Sequence, residues 1–245
     1  MLRAYDYWSK ANKEILKLFE GCVRSRVTCS KCNISSPTWD DFMVLKLCLE
    51  DQLLCTKGSV SIEDLISMWK NEEDLDGDNG YRCMNCKVPT KAVKKLEISS
   101  APPILVTQIK RFHYTTEGKG KKLTKPVEFD DKLKIVVDTL HGGTKLATYN
   151  LKAVISHIGD EISGGHYTAT TRLDVSSETW HNYSDEVYKP ICSKQVQKQQ
   201  AYLLFYEKAK NTVIEKVEND FSLNTLSLLN FHYDPPNKLI FEVFI

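Results

Sequence analysis

Two Cys-x-x-Cys pairs constrain the fold of this 245-residue chain more than any other feature. The pairs are Cys29 with Cys32 and Cys83 with Cys86. Each pair can present two thiolates from one tight turn, and four thiolates complete the tetrahedral shell of a zinc ion. Such a closed shell leaves no position for a reacting water, so the sequence predicts a structural Zn²⁺ site. Two separate redox pairs, or four buried thiols, are the alternatives.

The two Cys-x-x-Cys pairs can bind one ion only if the chain between them brings them together. Fifty residues separate Cys32 from Cys83, more than a compact zinc ribbon contains. The intervening segment must therefore fold so that its two ends meet. Four further cysteines have no partner at ligand spacing and are expected to be core or surface thiols: Cys22, Cys48, Cys55 and Cys192.

Composition and charge narrow the function classes. The 33 basic and 32 acidic residues nearly cancel, so no global positive field favours nucleic acid. No apolar run approaches the roughly 20 residues of a membrane span, and the first residues lack the apolar core of a signal peptide. Eight cysteines without such a signal are typical of thiols or metal ligands in a reducing compartment. We therefore expect an intracellular protein, in the cytoplasm, the nucleus or both, without a nucleic-acid or membrane partner.

The first half of the chain contains the clearest helical signals. Over residues 7–20 the apolar side chains keep a helical period, which predicts an amphipathic helix. Residues 42–49 read as an apolar strand. Ser61, followed three residues later by Asp64, is typical of a helix N-cap.

The chain from residue 91 to residue 207 is richer in strand signals. Ile104–Lys110 has the apolar content of a central strand, and residues 115–122 are polar and are expected to form a surface loop. Further strands are expected at residues 151–157, 166–172, 179–183 and 201–207. Helices early in the chain and strands later in it indicate an α+β fold. We treat residues 211–245 as a poorly ordered C-terminal appendage.

A glycine pair followed by a histidine stands at the head of one expected strand. Gly164 and Gly165 permit backbone conformations that residues with side chains resist, and His166 follows them. A histidine on a rigid strand beside a permissive loop is well placed to act as a general base. The alternative is a β-turn glycine pair before an ordinary histidine, and these residues alone do not decide between the two.

Several motifs occur together and in the order that one known family has. They are the two Cys-x-x-Cys pairs, Leu75-Asp76-Gly77-Asp78 with Tyr81-Arg82-Cys83, Pro103-Ile104-Leu105-Val106 with Lys110-Arg111-Phe112, Tyr149-Asn150-Leu151, Gly164-Gly165-His166-Tyr167-Thr168-Ala169, Trp180-His181-Asn182-Tyr183-Ser184-Asp185, and Ala201-Tyr202-Leu203-Leu204-Phe205-Tyr206. With them the chain resembles the ubiquitin-specific proteases, which are papain-like cysteine deubiquitinases, over roughly residues 5–208.

The resemblance implies a papain-like α+β fold of mostly antiparallel sheet that grips ubiquitin between a fingers region and a palm. We expect the fingers, with their zinc-ribbon knuckles, at about residues 22–95 and the palm at about residues 96–210. On this match the four paired cysteines hold the structural Zn²⁺ at the base of the fingers. His166 is then the general base.

The resemblance also implies where ubiquitin binds. The tail of ubiquitin ends in Gly-Gly, which suits a narrow channel lined by Gly164, Gly165 and Tyr167. The acidic segment 71–80 can meet a basic face of ubiquitin, although most such charge runs are solvated loops.

The chain departs from the family pattern at the nucleophile. Family members carry the nucleophile in a box of the form Gly-x-x-Asn-x-Gly-Asn-(Thr/Ser)-Cys, followed by a helix containing Gln-Gln-Asp-Ala, and neither occurs in this sequence. We therefore expect residues 1–210 to be a partial catalytic domain that lacks most of the thumb and is inactive alone. A noncatalytic ubiquitin-binding module or pseudoenzyme is the alternative, and a zinc-ribbon nucleic-acid binder comes third.

The remaining cysteines are poor substitutes for that nucleophile. Cys22 follows the end of a predicted helix, where the dipole disfavours a thiolate. Cys48 falls within an apolar strand. Cys192 precedes a short predicted helix, which is electrostatically better, but it falls in the wrong place for the cleft of the family.

The group that orients the histidine is the second departure. Family members commonly carry Asn or Asp where this chain has Ser184, and Asp185 follows it. The orienting group must accept a hydrogen bond from the imidazole and select its tautomer. We favour Ser184 for this role and assign Asp185 a secondary polar role near the oxyanion. The alternative is that both residues simply begin a turn.

Overall fold

Strands make up most of the chain that the structure describes. The computed structural model describes residues 13–49, 58–114, 120–139, 143–160, 164–174 and 176–210. The strands of the first half are β1 (Gly21–Cys29), β2 (Ser35–Phe42), β3 (Leu45–Cys48), β4 (Val60–Ser61), β5 (Glu73–Leu75), β6 (Tyr81–Arg82), β7 (Pro89–Thr90), β8 (Ala92–Ser100) and β9 (Ile104–Lys110). Those of the second half are β10 (Phe112–Tyr114), β11 (Gly120–Lys122), β12 (Val127–Glu128), β13 (Lys132–Asp138), β14 (Thr144–Ile158), β15 (His166–Thr171), β16 (Thr179–Ser184), β17 (Val187–Cys192) and β18 (Ala201–Lys208).

Short helices accompany these strands. They are α1 (Lys13–Phe19), α2 (Ile62–Trp69), α3 (Ser193–Val196) and a single 3₁₀ turn (Gly77–Asn79). α1 lies inside the helix expected at residues 7–20, of which residues 7–12 lie outside the described chain, as do residues 211–245. None of the helices in the described ranges has the length and apolar character needed to cross a membrane.

Two sheets form the body of the described chain. The four-stranded sheet has the order β2-β1-β8-β5 and is antiparallel throughout. The eight-stranded sheet has the order β17-β16-β15-β14-β18-β9-β3, with β13 added beside β14. Within this sheet β3 pairs parallel with β9, and the other pairs are antiparallel. The α+β prediction with mostly antiparallel strands is therefore confirmed.

The long strand β14 holds the eight-stranded sheet together. It has 15 residues, enough for its first half to pair with β13 and its second half with β15 along one edge. Its other edge pairs with β18. Alternate side chains such as Leu151 are fully buried in the core, as expected for a strand with one face against apolar side chains. This arrangement places the end of β14, at Ile158, opposite the first residue of β15, His166.

α2 begins at the predicted N-cap. The Ser61 hydroxyl oxygen accepts a hydrogen bond from the Asp64 amide at 3.0 Å, and the Asp64 carboxylate accepts one from the Ser61 amide at 3.0 Å. This reciprocal capping box satisfies two amides that a helix start leaves unpaired. Ile62 and Leu65 then face the core and are 0% and 1% exposed.

Two sequence-based element assignments were wrong. Residues 42–49 do not form one strand, because Phe42 ends β2 in the four-stranded sheet and Leu45 begins β3 in the eight-stranded sheet. The chain crosses between the sheets at this point. Residues 115–122 are not simply a surface loop, because Gly120–Lys122 pairs with β10 and Lys122 is only 6% exposed. Residues 115–119 lie outside the described chain.

The acidic segment 71–80 is more ordered than a solvated loop. It contains β5, which pairs with β8, and the 3₁₀ turn. Three of its carboxylates form ion pairs with lysines on β8 or next to it: Glu73 with Lys94 at 3.0 Å, Glu72 with Lys95 at 3.8 Å, and Asp76 with Lys91 at 3.5 Å. Much of the negative charge that the sequence offers to a partner is therefore already paired within the sheet.

Glu97 lies between two arginines in the middle of the four-stranded sheet. Its carboxylate accepts hydrogen bonds from Arg24 Nε at 2.9 Å and from Arg26 Nη2 at 2.6 Å, and its side chain is 8% exposed. Burial by itself would raise the pKa of Glu97, but the bonds from Arg26 and Arg24 outweigh it and hold that pKa below its usual value. The ion pairs therefore stabilise the sheet most when Glu97 is ionised.

Replacing Glu97 by glutamine is expected to destabilise the protein by about 1–2 kcal/mol at pH 7, because two partly buried guanidinium groups lose their counter-charge. The pKa of Glu97 is lower in the folded state than in the unfolded state. The stabilisation is therefore complete above about pH 5 and is lost as the pH falls through the folded-state pKa. Urea unfolding of wild type and Glu97→Gln at pH 7 and at about pH 3.5 measures the difference.

Glu73→Gln is the matched control for this experiment. This variant removes the carboxylate of Glu73 from its ion pair with Lys94 in the same sheet. The Glu73 side chain is 58% exposed. We expect a loss below about 0.5 kcal/mol at either pH. Equal losses in the two variants, or a Glu97→Gln loss that does not shrink in acid, would contradict the assignment.

Candidate active site and metal site

The candidate active site forms where β15 and β16 run side by side. His166 begins β15, and the pairing of Ala169 with Tyr183 directs the end of β16 toward it. Ser184 is the last residue of β16, and its Oγ lies 2.7 Å from His166 Nε2. The structure therefore brings together the two residues that the sequence analysis favoured as a base and its orienting group.

This contact has a consequence for the imidazole. When Ser184 Oγ accepts a hydrogen bond from Nε2–H, the proton of the neutral ring stays on Nε2 and the lone pair of Nδ1 is available. The His166 side chain is 40% exposed, so a reacting group can approach it. The pair has the geometry that a general base requires.

Asp185 lies beyond the end of β16 in a turn. Its backbone φ is +51°, a left-handed conformation that Asp adopts more readily than most residues. Its carboxylate is 84% exposed and 4.0 Å from His166 Nδ1. Asp185 therefore faces the nitrogen opposite to the one that Ser184 contacts, and it does not compete for the orienting position.

Gly165 packs against the ring of His157. Its φ is +146°, and a Cβ at this position would lie 2.6 Å from Cε1 of His157, so a larger residue does not fit. The ring of Tyr167 stands edge-on to that of His157, with centroids 4.9 Å apart, and Tyr167 is 53% exposed. Burial, and then the nearby charge of Lys122, lower the pKa of His157, so that this ring is neutral near pH 7.

An open cleft lies beside Ser184, which is one of its lining residues. Its volume is about 770 Å³. The lining residues come from β14, β15 and β16, from the turn after β16 and from the start of β17, and they are Ile158, Thr168, Asn182, Ser184, Asp185, Glu186, Val187 and Lys189. Ser184, which contacts the candidate base, therefore lines a space large enough for a peptide segment.

The described cysteines outside the two Cys-x-x-Cys pairs lie neither on β15 nor at the end of β16 that contacts His166. Cys192 pairs with Thr179 at the far end of β16, about 17 Å along the strand from Ser184. Cys48 lies on β3, four strands away from β15 and thus about 19 Å across the sheet. Cys22 belongs to the four-stranded sheet, and Cys55 lies outside the described chain.

The four paired cysteines meet at one end of the four-stranded sheet. The sulfur atoms of Cys29, Cys32, Cys83 and Cys86 all lie within 4.8 Å of one another. Cys29 is 0% exposed and Cys83 is 3% exposed. The two Cys-x-x-Cys pairs therefore lie together in the folded chain, as the sequence analysis predicted.

Both knuckles share two features of the backbone. In each, the residue after the second cysteine has φ of +57°, and its amide donates to the carbonyl of the first cysteine at 2.9 Å (Asn33) or 2.8 Å (Lys87). Backbone amides also point at the sulfurs, from Lys31 to Cys29 and from Cys86 to Cys83, each at 3.4 Å. Four sulfurs in this arrangement fit one tetrahedral Zn²⁺, and the alternative of two separate redox pairs is not favoured by their proximity.

The electrostatics of the four thiols also suit a cation. A hydrogen bond from the Thr90 hydroxyl, with help from the backbone, lowers the pKa of Cys29 to about 6. Desolvation and hydrogen bonds with the neighbouring thiols raise the pKa of Cys86 to about 12. A positive ion bound between the four sulfurs would offset the repulsion between several thiolates held this close together.

Two residues near these sites were missed in the sequence analysis. Thr90, whose hydroxyl lies 3.3 Å from Cys29 Sγ, follows no ligand pattern in the sequence. Lys122 was assigned to a polar loop, yet its ammonium is buried behind the segment that leads to His166. No local signal marks either residue, because both act through contacts between segments far apart in the chain.

A histidine oriented by a polar neighbour in an α+β fold is typical of the papain-like cysteine peptidases. Comparison with known proteins identifies the family within this class. The model of the ubiquitin carboxyl-terminal hydrolase family matches residues 3–206. The chain therefore belongs to the ubiquitin carboxyl-terminal hydrolase family, which confirms the resemblance found in the sequence.

Curated relatives agree with this assignment. Ubiquitin carboxyl-terminal hydrolase 2 of Gallus gallus is 36% identical over 203 residues, which are 83% of this chain and 55% of that protein. The protein of the same name from Homo sapiens is 35% identical over 205 residues, 83% of this chain and 33% of that protein. The chain thus spans between about a third and just over half of the length of these relatives.

Solved structures share the fold. A yeast SAGA deubiquitinating module with a mutant Sgf73 matches with a TM-score of 0.70 and 29% identity, over 84% of this chain and 45% of that chain. The SAGA Ubp8/Sgf11/Sus1/Sgf73 module bound to ubiquitin aldehyde matches with a TM-score of 0.69 and 29% identity, over 79% of this chain and 42% of that chain. These similarities confirm the fold class of the ubiquitin-specific proteases.

Metal analysis tests the four-cysteine site. We expect the purified chain to bind about one Zn²⁺, and Cys83→Ser to lose most of it, because three sulfurs cannot close the shell. The variant should also unfold at a lower temperature, since binding of the metal contributes to the stability of the folded state. Elemental analysis and thermal unfolding with and without a chelator give both readouts.

Cys192→Ser is the matched control, because Cys192 is an exposed thiol outside the four-sulfur group. It should keep the metal and the wild-type unfolding temperature. Loss of zinc from this variant as well, or a wild-type chain that takes up neither Zn²⁺ nor Co²⁺, would argue against the site.

Proposed function

We propose that the chain carries part of the active site of a deubiquitinase, which hydrolyses the bond after the C-terminal glycine of ubiquitin in a thiol-dependent reaction. In this proposal His166 is the general base and Ser184 orients it. The observation that carries the proposal is the 2.7 Å contact between His166 Nε2 and Ser184 Oγ beside an open cleft, in a chain of the ubiquitin carboxyl-terminal hydrolase family.

The proposed chemistry assigns a separate task to each residue. Ser184 keeps the ring proton on Nε2, so Nδ1 can take the proton of a thiol. The thiolate attacks the carbonyl carbon of the terminal glycine, His166 returns the proton to the leaving amine, and water then hydrolyses the acyl-enzyme. A serine is neutral and stabilises the imidazolium less than a carboxylate would. Asp185, whose carboxylate lies 4.0 Å from Nδ1, is proposed to have a secondary polar role near the oxyanion.

The substrate assignment rests on the surroundings of His166. We propose that Gly164, Gly165 and Tyr167 line the channel for the tail of ubiquitin, because two residues without side chains leave a narrow space beside an exposed aromatic ring. The structural similarity to modules described as bound to ubiquitin aldehyde and to monoubiquitin supports ubiquitin as the partner. The four cysteines are proposed to hold a structural Zn²⁺, which stabilises the sheet without taking part in the reaction.

We further propose that these 245 residues by themselves have no hydrolase activity. The nucleophile box of the family does not occur in the sequence. Of the described cysteines outside the four-sulfur group, Cys192 lies about 17 Å along β16 from Ser184, Cys48 lies about 19 Å across the sheet from β15, and Cys22 belongs to the four-stranded sheet. The same observation favours a second candidate function, a noncatalytic ubiquitin-binding module. Both candidate functions predict that this chain binds ubiquitin without hydrolysing a ubiquitin substrate. They differ in whether His166 accepts a proton from a catalytic thiol.

Turnover and binding assays test this proposal together. The chain should not release the fluorophore from a fluorogenic ubiquitin substrate, whereas it should bind monoubiquitin measurably in a calorimetric or NMR titration. Turnover that disappears when any cysteine of this chain is replaced would refute the predicted inactivity. A chain that is folded and zinc-loaded but does not bind ubiquitin would refute the partner assignment.

A chain supplemented with the nucleophile segment of a family member separates the two candidate functions. Turnover that appears on adding this segment and disappears in His166→Ala supports the deubiquitinase. Absence of turnover, with the segment bound and ubiquitin binding intact, supports the binding module.

Truncated ubiquitin tests the channel. We expect ubiquitin without its two terminal glycines to bind at least about tenfold more weakly than the full protein, because contacts worth roughly 1.4 kcal/mol are lost. Intact ubiquitin is the control in the same titration. Equal affinities would place the binding surface elsewhere and exclude Gly164, Gly165 and Tyr167 from it.

A further inference from the structure

Lys122 is a buried lysine whose described hydrogen-bond partners are main-chain carbonyl groups. It ends β11 and is 6% exposed. Its ammonium donates to the carbonyl of His157 at 2.8 Å and to that of Gly159 at 2.5 Å. Burial, and then the charge of Arg111, lower the pKa of Lys122. Since removing an ammonium from water is unfavourable, bonds of this charge-assisted kind are needed to keep it in place.

The two carbonyls belong to the start of the connection between β14 and β15. The other end of that connection returns to the same place, because Gly165 packs so closely on the His157 ring that a Cβ on it would lie 2.6 Å from Cε1 of that ring. Gly159 and Gly165 also approach each other closely, since a Cβ on Gly159 would lie 3.2 Å from the Cα of Gly165. We call Gly159, Gly164 and Gly165 the neck of this connection.

The neck leads directly into the candidate base. His166 follows Gly165 and is paired with Ile158, which precedes Gly159. The His166 ring then has to meet Ser184 Oγ at 2.7 Å. The strand registers bring the two groups together. Because a hydrogen bond of this length tolerates little displacement, a shift of the neck would lengthen the contact.

We propose that Lys122 is a positioning residue that holds the neck and thereby keeps His166 at hydrogen-bond distance from Ser184. This assignment rests on the proposed function, because it takes His166 as the general base. Lys122 donates to backbone groups of the neck and of His157 and acts on the imidazole through them. A lysine that served stability alone would leave the tautomer of the His166 ring unchanged when it is replaced.

NMR of the full chain with ¹⁵N-labelled histidine tests the proposal. The ring ¹⁵N shifts of His166 report which nitrogen carries the proton. In the wild-type chain we expect a ring held with its proton on Nε2. In Lys122→Met, which keeps the length of the side chain but has no donor, the shifts should move toward those of an imidazole that exchanges between tautomers, as they should in Ser184→Ala.

Lys121→Met is the matched control, because Lys121 is the exposed neighbour on the same strand. It should leave the His166 ring signals as in wild type. His166 shifts that are the same in folded Lys122→Met and in wild type would overturn the proposal, and so would equal changes in the Lys121 and Lys122 variants.

A second variant covers the case in which Lys122→Met does not fold. Lys122→Gln keeps amide donors on a shorter, uncharged side chain, and the His166 signals should move in the same direction by a smaller amount. Unchanged signals in this variant would likewise overturn the proposal. A titration of the wild-type chain with monoubiquitin accompanies these measurements. Failure of that titration counts against the proposed function, whereas the ring signals decide the role of Lys122 by themselves.

Discussion

The antiparallel pairing of β14, β15 and β16 is the interaction on which the candidate active site depends. Ile158 lies opposite His166, and Ala169 lies opposite Tyr183, so the registers of two strand pairs set where the imidazole and the Ser184 hydroxyl meet. A slip of one residue in either pair would turn one of these groups to the other face of the sheet. The buried side chains along β14 and β18 oppose such a slip, because it would expose an entire apolar face. The strand registers that bury the apolar side chains in the core therefore also place His166 and Ser184 within hydrogen-bond distance.

Buried cations bonded to carbonyl groups hold the segments around this sheet. Arg111 donates to the carbonyls of Ala201, Leu123 and Lys125 at 2.7, 3.0 and 2.8 Å, and burial lowers its pKa to about 10. Lys122 does the same for the connection that precedes His166. A carbonyl group can be fixed in this way whatever side chain its residue carries, so such bonds leave the sequence of the fixed segment free to vary. They also bring the cost of desolvating a charge, which the surrounding bonds must offset.

Local patterns in the sequence predicted much of the fold and the site. Ser61 and Asp64 form the expected capping box, because a cap requires only residues three positions apart. The Cys-x-x-Cys pairs meet as predicted, since each knuckle is a local structure and four thiolates at this spacing are a common zinc ligand set. The strands expected at residues 151–157 and 201–207 are present within β14 and β18. The errors lie where neighbouring residues belong to different sheets, as at Phe42 and Leu45, or where a polar residue such as Lys122 is buried by distant segments.

By itself, the sequence determined the family, the candidate zinc ligands and the identity of the candidate base, because each of these follows from residue types at short, characteristic spacings. The tertiary structure decided that Ser184 and not Asp185 contacts His166 Nε2, that the acidic segment pairs with lysines of its own sheet, and that Lys122 lies behind the neck. Those outcomes depend on strand register, on a left-handed turn at Asp185 and on the desolvation of charged groups. All three are set by contacts between residues far apart in the chain, and no local pattern records them.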